Sequence, residues 1–167
     1  NEGLRVHSPG LLLAQTLRAD VQHKLADGWV SQRYGEKRPA PALRSTIKSS
    51  NANFDTLLLP WRDIEPTVHL EDVAVEARGA NITAPSALRI NLQSGDKRTT
   101  DFWFHSHDKE VLNWRIDRFE FTGRWVFWRE ADYGRVLHAV SHSGASLRST
   151  QNGRTAQIAL EIEEAIA

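Results

Sequence analysis

The sequence contains neither cysteine nor methionine, and its 21 basic residues are balanced by 21 acidic ones. Without cysteine there is no disulfide framework, no thiolate nucleophile and no cysteine-ligated zinc site. The balanced charge gives no reason to expect nucleic acid as a partner. The longest apolar stretches, such as residues 11–14 and 57–59, are too short to span a bilayer, so we expect no membrane partner.

The missing methionine bears on where the chain begins. Translation starts with methionine, and Asn1 is too large a second residue for that methionine to be removed easily. The amino end also lacks a basic run followed by an apolar core, which a targeting segment would show. We therefore expect a fragment or a processed mature chain, preceded by sequence that is not included here.

Apolar and polar residues alternate in many short segments, which is the pattern of strands with one buried face. Turn-forming pairs such as Asp27-Gly28, Ser94-Gly95 and Asn152-Gly153 separate these segments. The predicted strands cover residues 17–25, 42–48, 55–59, 68–77, 87–92, 100–105, 111–116, 118–122, 124–129, 135–142 and, with a helix as the alternative, 155–162. We predict an all-β fold, an antiparallel β-sandwich of many short strands with no substantial helical domain.

Residues 1–167 would form a single body, with a possible sub-boundary near residues 62–66. Aromatic side chains are concentrated between residues 102 and 128, and we expect most of them to form the core. Alternation places the phenylalanines of residues 102–104 and 119–121 on one face, and Trp103, Trp125 and Phe127 on the other. The alternative is that some of these rings are exposed and stack on sugars.

Residues 28–43 read GWVSQRYGEKRPAPAL and form the most distinctive segment. We interpret it as a strand that enters a long turn, because Gly35 tolerates a positive φ and the prolines hold the exit extended. Tyr34 could stack on a ligand, and Arg33 could pair with a carboxylate or sulfate. The candidate substrate-binding residues are Arg33, Tyr34, Lys37 and Arg38. The alternative is that Trp29 and Tyr34 pack in the core.

This segment, together with FDTLLLP at residues 54–60, resembles the carboxyl-terminal β-sandwich region of the heparinase II/III-like polysaccharide lyases. In that family a Gly-Trp-x-Ser-x-x-Tyr-Gly turn is followed by Pro/Ala-rich residues and then by a Thr-x-Leu-x-Pro strand end. Residues 129–149 look like the late strands of the same region. The resemblance covers most of the chain through short motifs that are largely turns.

The resemblance implies a complete enzyme in which a helical toroid precedes β-sandwich domains and uronate-containing polysaccharide is cleaved by β-elimination. Tyrosine and histidine would serve as acid and base. This chain has no set of amphipathic helices for a toroid, and its closest string to the family's His-Gly-His-Ala-Asp signature, residues 105–108, follows the turn motif instead of preceding it. We therefore expect no catalytic residue in this chain.

The sequence thus predicts a non-catalytic carboxyl-terminal domain that supports the substrate cleft of such a lyase. Its partners would be an acidic polysaccharide, such as a glycosaminoglycan or alginate, and the upstream helical toroid and sandwich domain of the parent protein. The resemblance also implies a secreted or periplasmic bacterial location. The alternative is a freestanding carbohydrate-binding or structural β-sandwich module.

We expect no cofactor, and a divalent metal such as zinc is the alternative. On a strand, His105 and His107 would point to one face, and Asp108 in a following turn could supply a third ligand. Two alternating histidines at a strand end are more often ordinary surface residues.

Overall fold

A computed structural model describes residues 4–16, 20–49, 54–78, 86–106, 113–131, 134–142 and 144–163. The described strands are β1 (Leu4–Ser8), β2 (Leu11–Gln15), β3 (Val21–Val30), β4 (Arg38–Ile47), β5 (Thr56–Pro60), β6 (Thr67–Asp72), β7 (Glu76–Arg78), β8 (Ser86–Ser94), β9 (Lys97–His105), β10 (Asn113–Ile116), β11 (Phe119–Thr122), β12 (Trp125–Ala131), β13 (Val136–His142), β14 (Ser146–Gln151), β15 (Arg154–Ile158) and β16 (Glu161–Glu163). Within these residues no helix is long and apolar enough to cross a membrane.

The chain forms two compact units, a smaller one over residues 17–54 and a larger one over residues 2–16 and 55–167. The smaller unit is built on a hairpin in which β3 and β4 pair antiparallel from Val21 opposite Ile47 to Val30 opposite Arg38. The predicted sub-boundary near residues 62–66 falls inside the larger unit.

The described residues of the larger unit form three sheets. A five-stranded sheet has the order β15-β14-β11-β10-β7, a six-stranded sheet has the order β16-β13-β12-β9-β8-β6, and a three-stranded sheet has the order β1-β2-β5. All of these pairs are antiparallel except β13 with β16, which is parallel. The predicted all-β sandwich of short strands is therefore confirmed.

The main core lies between the five-stranded and six-stranded sheets and is rich in aromatic rings. The Phe102 and Trp128 rings stack with centroids 4.7 Å apart and planes at 7°, and Phe104 meets Phe121 edge-on at 4.7 Å. The buried residues of this core are Ala87, Phe102, Phe104, Trp114, Ile116, Phe119, Phe121, Val126, Trp128, Ala139 and Leu147. Offset and edge-on ring pairs add about 0.5–1.5 kcal/mol each beyond their area of burial.

A second core covers the opposite face of the six-stranded sheet. Leu12 and Ala14 of β2 pack there against a set of aliphatic residues that also includes Val68, Leu70, Leu88 and Ile90. Partly buried Leu57, Leu59, Trp61, Leu92 and Trp103 extend it. Part of the six-stranded sheet is therefore apolar on both faces, which explains the contiguous apolar residues along β8 and β9.

The strand predictions are confirmed for most of the larger unit, and the differences have local causes. Residues 68–77 form two strands, β6 and β7, which belong to different sheets. The carboxyl-terminal segment is extended, as predicted, but is divided into β15 and β16. The Asn152-Gly153 turn is confirmed, since both residues have positive φ, 51° and 74°.

Two ion pairs flank an irregularity in the pairing of β12 with β13, where the register shifts between Arg129 and Glu130. Arg129 donates from Nε and Nη2 to the two carboxylate oxygens of Asp101 at 2.7 and 2.6 Å. Arg118 Nη2 donates to Glu130 Oε1 at 2.8 Å. Hydrogen bonding to Asp101 raises the pKa of Arg129, whereas burial raises the pKa of Glu130 against the opposing charge of Arg118.

We expect Phe104→Ala to lower the free energy of unfolding by about 3–5 kcal/mol, because it leaves a cavity in the aromatic core. The Phe104 ring is 0% exposed and lies 4.9 Å from the Trp114 ring. Urea unfolding followed by tryptophan fluorescence measures the loss. Tyr34→Ala is the matched control, expected to stay within about 0.5 kcal/mol because that side chain is fully exposed. Equal losses for the two variants would contradict this packing.

The raised pKa of Glu130 predicts a pH-dependent contribution to stability. A carboxyl whose pKa is higher in the folded state stabilises the protein below its ordinary pKa, and that contribution is lost as pH rises through the folded value. The wild type should have a higher free energy of unfolding than Glu130→Gln at low pH. This advantage should shrink as pH rises from 4.5, the ordinary pKa of a glutamate, towards neutrality. Urea unfolding of both proteins at several pH values measures it, and an advantage that grew with pH would show that the Arg118 pair outweighs burial.

Candidate functional site

The segment singled out in the sequence forms the end of the β3–β4 hairpin, and we call residues 29–39 the hairpin tip. Gly35 has φ of +82°, as the turn prediction required. Ser31 Oγ donates to the carbonyl oxygen of Arg33 at 2.6 Å, and the backbone N–H of Glu36 donates to the same oxygen at 3.2 Å. These local bonds give the tip a defined shape without a hydrophobic core.

The predicted turn at Asp27-Gly28 is wrong, because both residues lie inside β3 opposite Pro41 and Ala40. Gly28 is required for a different reason. A Cβ at that position would lie 2.9 Å from the Cβ of Ala42 and 3.0 Å from the carbonyl oxygen of Ala40. The glycine therefore permits close approach of the two strands and not a reversal of the chain. The prolines stand in extended β4, as predicted.

The side chains of the hairpin tip are directed to solvent. Tyr34 is 106% exposed relative to a free residue, and Trp29 is 68% exposed. The alternative interpretation, in which both rings pack in a core, is therefore wrong. Both rings are therefore available to contact a ligand or partner.

The hairpin tip is also positively charged. Arg33, Lys37 and Arg38 carry three positive charges, against one negative charge on Glu36. Arg38 Nη2 lies 3.8 Å from Glu36 Oε2, a distance at which an exposed ion pair contributes little. The four predicted substrate-binding residues, Arg33, Tyr34, Lys37 and Arg38, are thus brought together on one exposed turn.

This arrangement can bind an anion, and its unit has no histidine near the tip. The single histidine there, His23, lies near the other end of the hairpin and its Nδ1 is 3.0 Å from Ser45 Oγ. Tyr34 can supply a ring face and a phenolic hydroxyl, while the basic side chains can contact carboxylate or sulfate groups.

A second aromatic surface lies on the face of the six-stranded sheet that is opposite the main core. Trp103 and Trp125 stack with centroids 5.9 Å apart, and Trp125 meets His142 edge-on at 6.2 Å. Phe127 makes a similar contact with His138 at 6.2 Å. The predicted division of the aromatic residues between two faces is confirmed, but these rings are partly buried against one another and not presented singly.

His105 is the last residue of β9 and makes a polar or ring contact of its own. The other two candidate zinc ligands, His107 and Asp108, lie outside the described residues. Within the residues that the structure describes, no group of three or more His, Cys, Asp or Glu side chains is placed to hold a metal. The zinc site therefore stays a prediction.

Comparison of the chain with protein-family models, with curated proteins and with solved structures finds no match. The resemblance to the heparinase II/III-like lyases thus stays a prediction that rests on the short motifs of the sequence.

Proposed function

We propose that this chain is a non-catalytic β-sandwich protein that binds acidic polysaccharide through its hairpin tip. The observation that carries the proposal is the full exposure of Tyr34 beside Arg33, on the same turn as Lys37 and Arg38. An exposed aromatic ring packs against the C–H face of a sugar, and neighbouring cations contact the carboxylate or sulfate groups that project from the ring.

The exposure of the tip also sets the strength of binding. Ion pairs between solvated groups contribute little individually, and salt screens them over about 10 Å at 0.1 M. Affinity should therefore be weak for one sugar unit, should increase along a polymer with regularly spaced charges, and should fall as salt is added. A neutral polysaccharide would have only the stacking contact.

The resemblance to the lyases supports a narrower form of the proposal, in which the polymer contains uronate and the chain is the carboxyl-terminal domain of a larger enzyme that is secreted or periplasmic. Upstream sequence with many amphipathic helices and a His-Gly-His-Ala-Asp signature would support this form. An open reading frame with only a signal peptide before Asn1 would favour the freestanding module instead.

Replacing the three basic residues of the tip, Arg33, Lys37 and Arg38, with alanine should weaken binding to alginate or heparin about tenfold at low salt. The matched control replaces Arg115, Arg148 and Arg154 of the five-stranded sheet, which removes the same net charge elsewhere. Affinity electrophoresis or calorimetry compares the two, with dextran as a neutral polymer. Equal weakening by both triple variants would show that net charge, and not the tip, governs binding.

Tyr34→Ala should weaken binding to the same polymers several-fold, whereas Tyr34→Phe should retain most of the affinity, because stacking needs the ring and not the hydroxyl. Neither change should alter stability, since the side chain is fully exposed. If the phenylalanine variant binds as poorly as the alanine variant, the phenolic hydroxyl and not the ring face makes the contact.

A further inference from the structure

A groove with a volume of about 410 Å³ opens on the larger unit. Its size is within the range of small-molecule sites. Half of the residues that line it are apolar: Leu59, Pro60, Trp61, Ile64, Pro66 and Leu92. Ile64 remains 58% exposed there, so the groove leaves apolar surface open to solvent that a ligand could cover.

Trp61 is held firmly at the side of this groove. Its backbone N–H donates to the carbonyl oxygen of Gly10 at 2.9 Å, and its ring packs against the second core. Its indole Nε1 is buried and has no hydrogen-bond partner among the described residues. Because that nitrogen is buried, the ring surface of Trp61, and not its N–H, is the part that can contact a ligand in the groove.

Arg129 supplies an oriented cation to the same groove. Its Nε and Nη2 face Asp101, whose side chain is only 5% exposed, whereas the side chain of Arg129 is 42% exposed. The guanidinium group has five N–H donors in a fixed plane, and Asp101 occupies one edge of it. The edge formed by Nη1 and the second hydrogen of Nη2 matches the two oxygens of another carboxylate.

The charges around the groove favour a monoanion. Arg62, Lys97 and Arg129 line it together with Asp63, and Asp101 lies behind Arg129. Three positive charges against two negative ones leave a single positive charge. A ligand with one carboxylate would neutralise it, whereas a dianion would bring unpaired negative charge into a site that is half apolar.

We propose that this groove binds a small aromatic monocarboxylate, with its ring against Trp61 and Ile64 and its carboxylate facing Arg129 and Lys97. A sugar acid of the same charge fits less well, because Ser94 and Thr99 could bond some of its hydroxyl groups but those against the apolar half of the groove would have no hydrogen-bond partners. The proposal concerns a different surface from the hairpin tip and does not depend on polysaccharide binding.

The test is calorimetric titration of the whole chain with 2-naphthoate, its neutral analogue 2-naphthylmethanol, and galacturonate. We expect 2-naphthoate to bind about tenfold more tightly than either comparison compound. Equal binding of the alcohol would overturn the role of the carboxylate. Tighter binding of galacturonate would overturn the aromatic ligand and identify a sugar site, and absence of 2-naphthoate binding at millimolar concentration would overturn the proposal as a whole.

Variants assign the binding to this groove. Lys97→Gln should weaken 2-naphthoate about threefold to tenfold and Lys97→Glu should abolish its binding, while Lys37→Gln on the hairpin tip is the matched control and should have no effect. Trp61→Ala, which removes the ring at the side of the groove, should weaken it several-fold. Arg129→Lys should also reduce affinity, and because it disturbs the pair with buried Asp101, its folding is checked by urea unfolding. Unchanged binding by Lys97→Glu would place the ligand elsewhere and overturn the site.

Discussion

The larger unit depends on one constraint, which is that part of its six-stranded sheet is apolar on both faces and must be covered twice. Consecutive residues of β9 show it: Phe102 and Phe104 enter the aromatic core, while Trp103 between them belongs to the aliphatic one. Because successive side chains of a strand point to opposite faces, neither core could be lost without exposing a row of large apolar groups. The five-stranded and three-stranded sheets supply the two covers.

The six-stranded sheet also positions two charged side chains of the larger unit. Arg129 and Glu130 are neighbours in β12 and point to opposite faces, where each meets a charge from a different element, Asp101 or Arg118. Buried charges are tolerated when they are paired and hydrogen-bonded. The pair on one face also determines the orientation of the guanidinium group at the groove, so a structural ion pair and a candidate ligand contact share one side chain.

Much of this could be predicted from local sequence, and the failures are physically specific. Alternation predicted the strands and the two aromatic faces, since a period of two is an intrinsic property of extended chain. The predicted turn at Asp27-Gly28 was wrong, because glycine occurs both in turns and where two strands approach closely. Only the pairing of Gly28 with Ala40 shows that this glycine serves the second purpose. The strands β1 and β2 were missed, although the apolar residues 11–14 follow a turn signal at Pro9-Gly10, because an apolar run this short does not by itself identify a strand.

The sequence by itself determined the fold class and the composition of the hairpin tip, because both follow from residues that are adjacent in the chain. Tyr34 and its basic neighbours needed no distant contact to meet on one turn. Only the tertiary structure decided that Trp29 and Tyr34 are exposed, since exposure depends on what other segments cover. It alone created the groove, whose walls come from residues 59–66, 92–99 and 129, separated in sequence and joined only when β5, β8, β9 and β12 pack together.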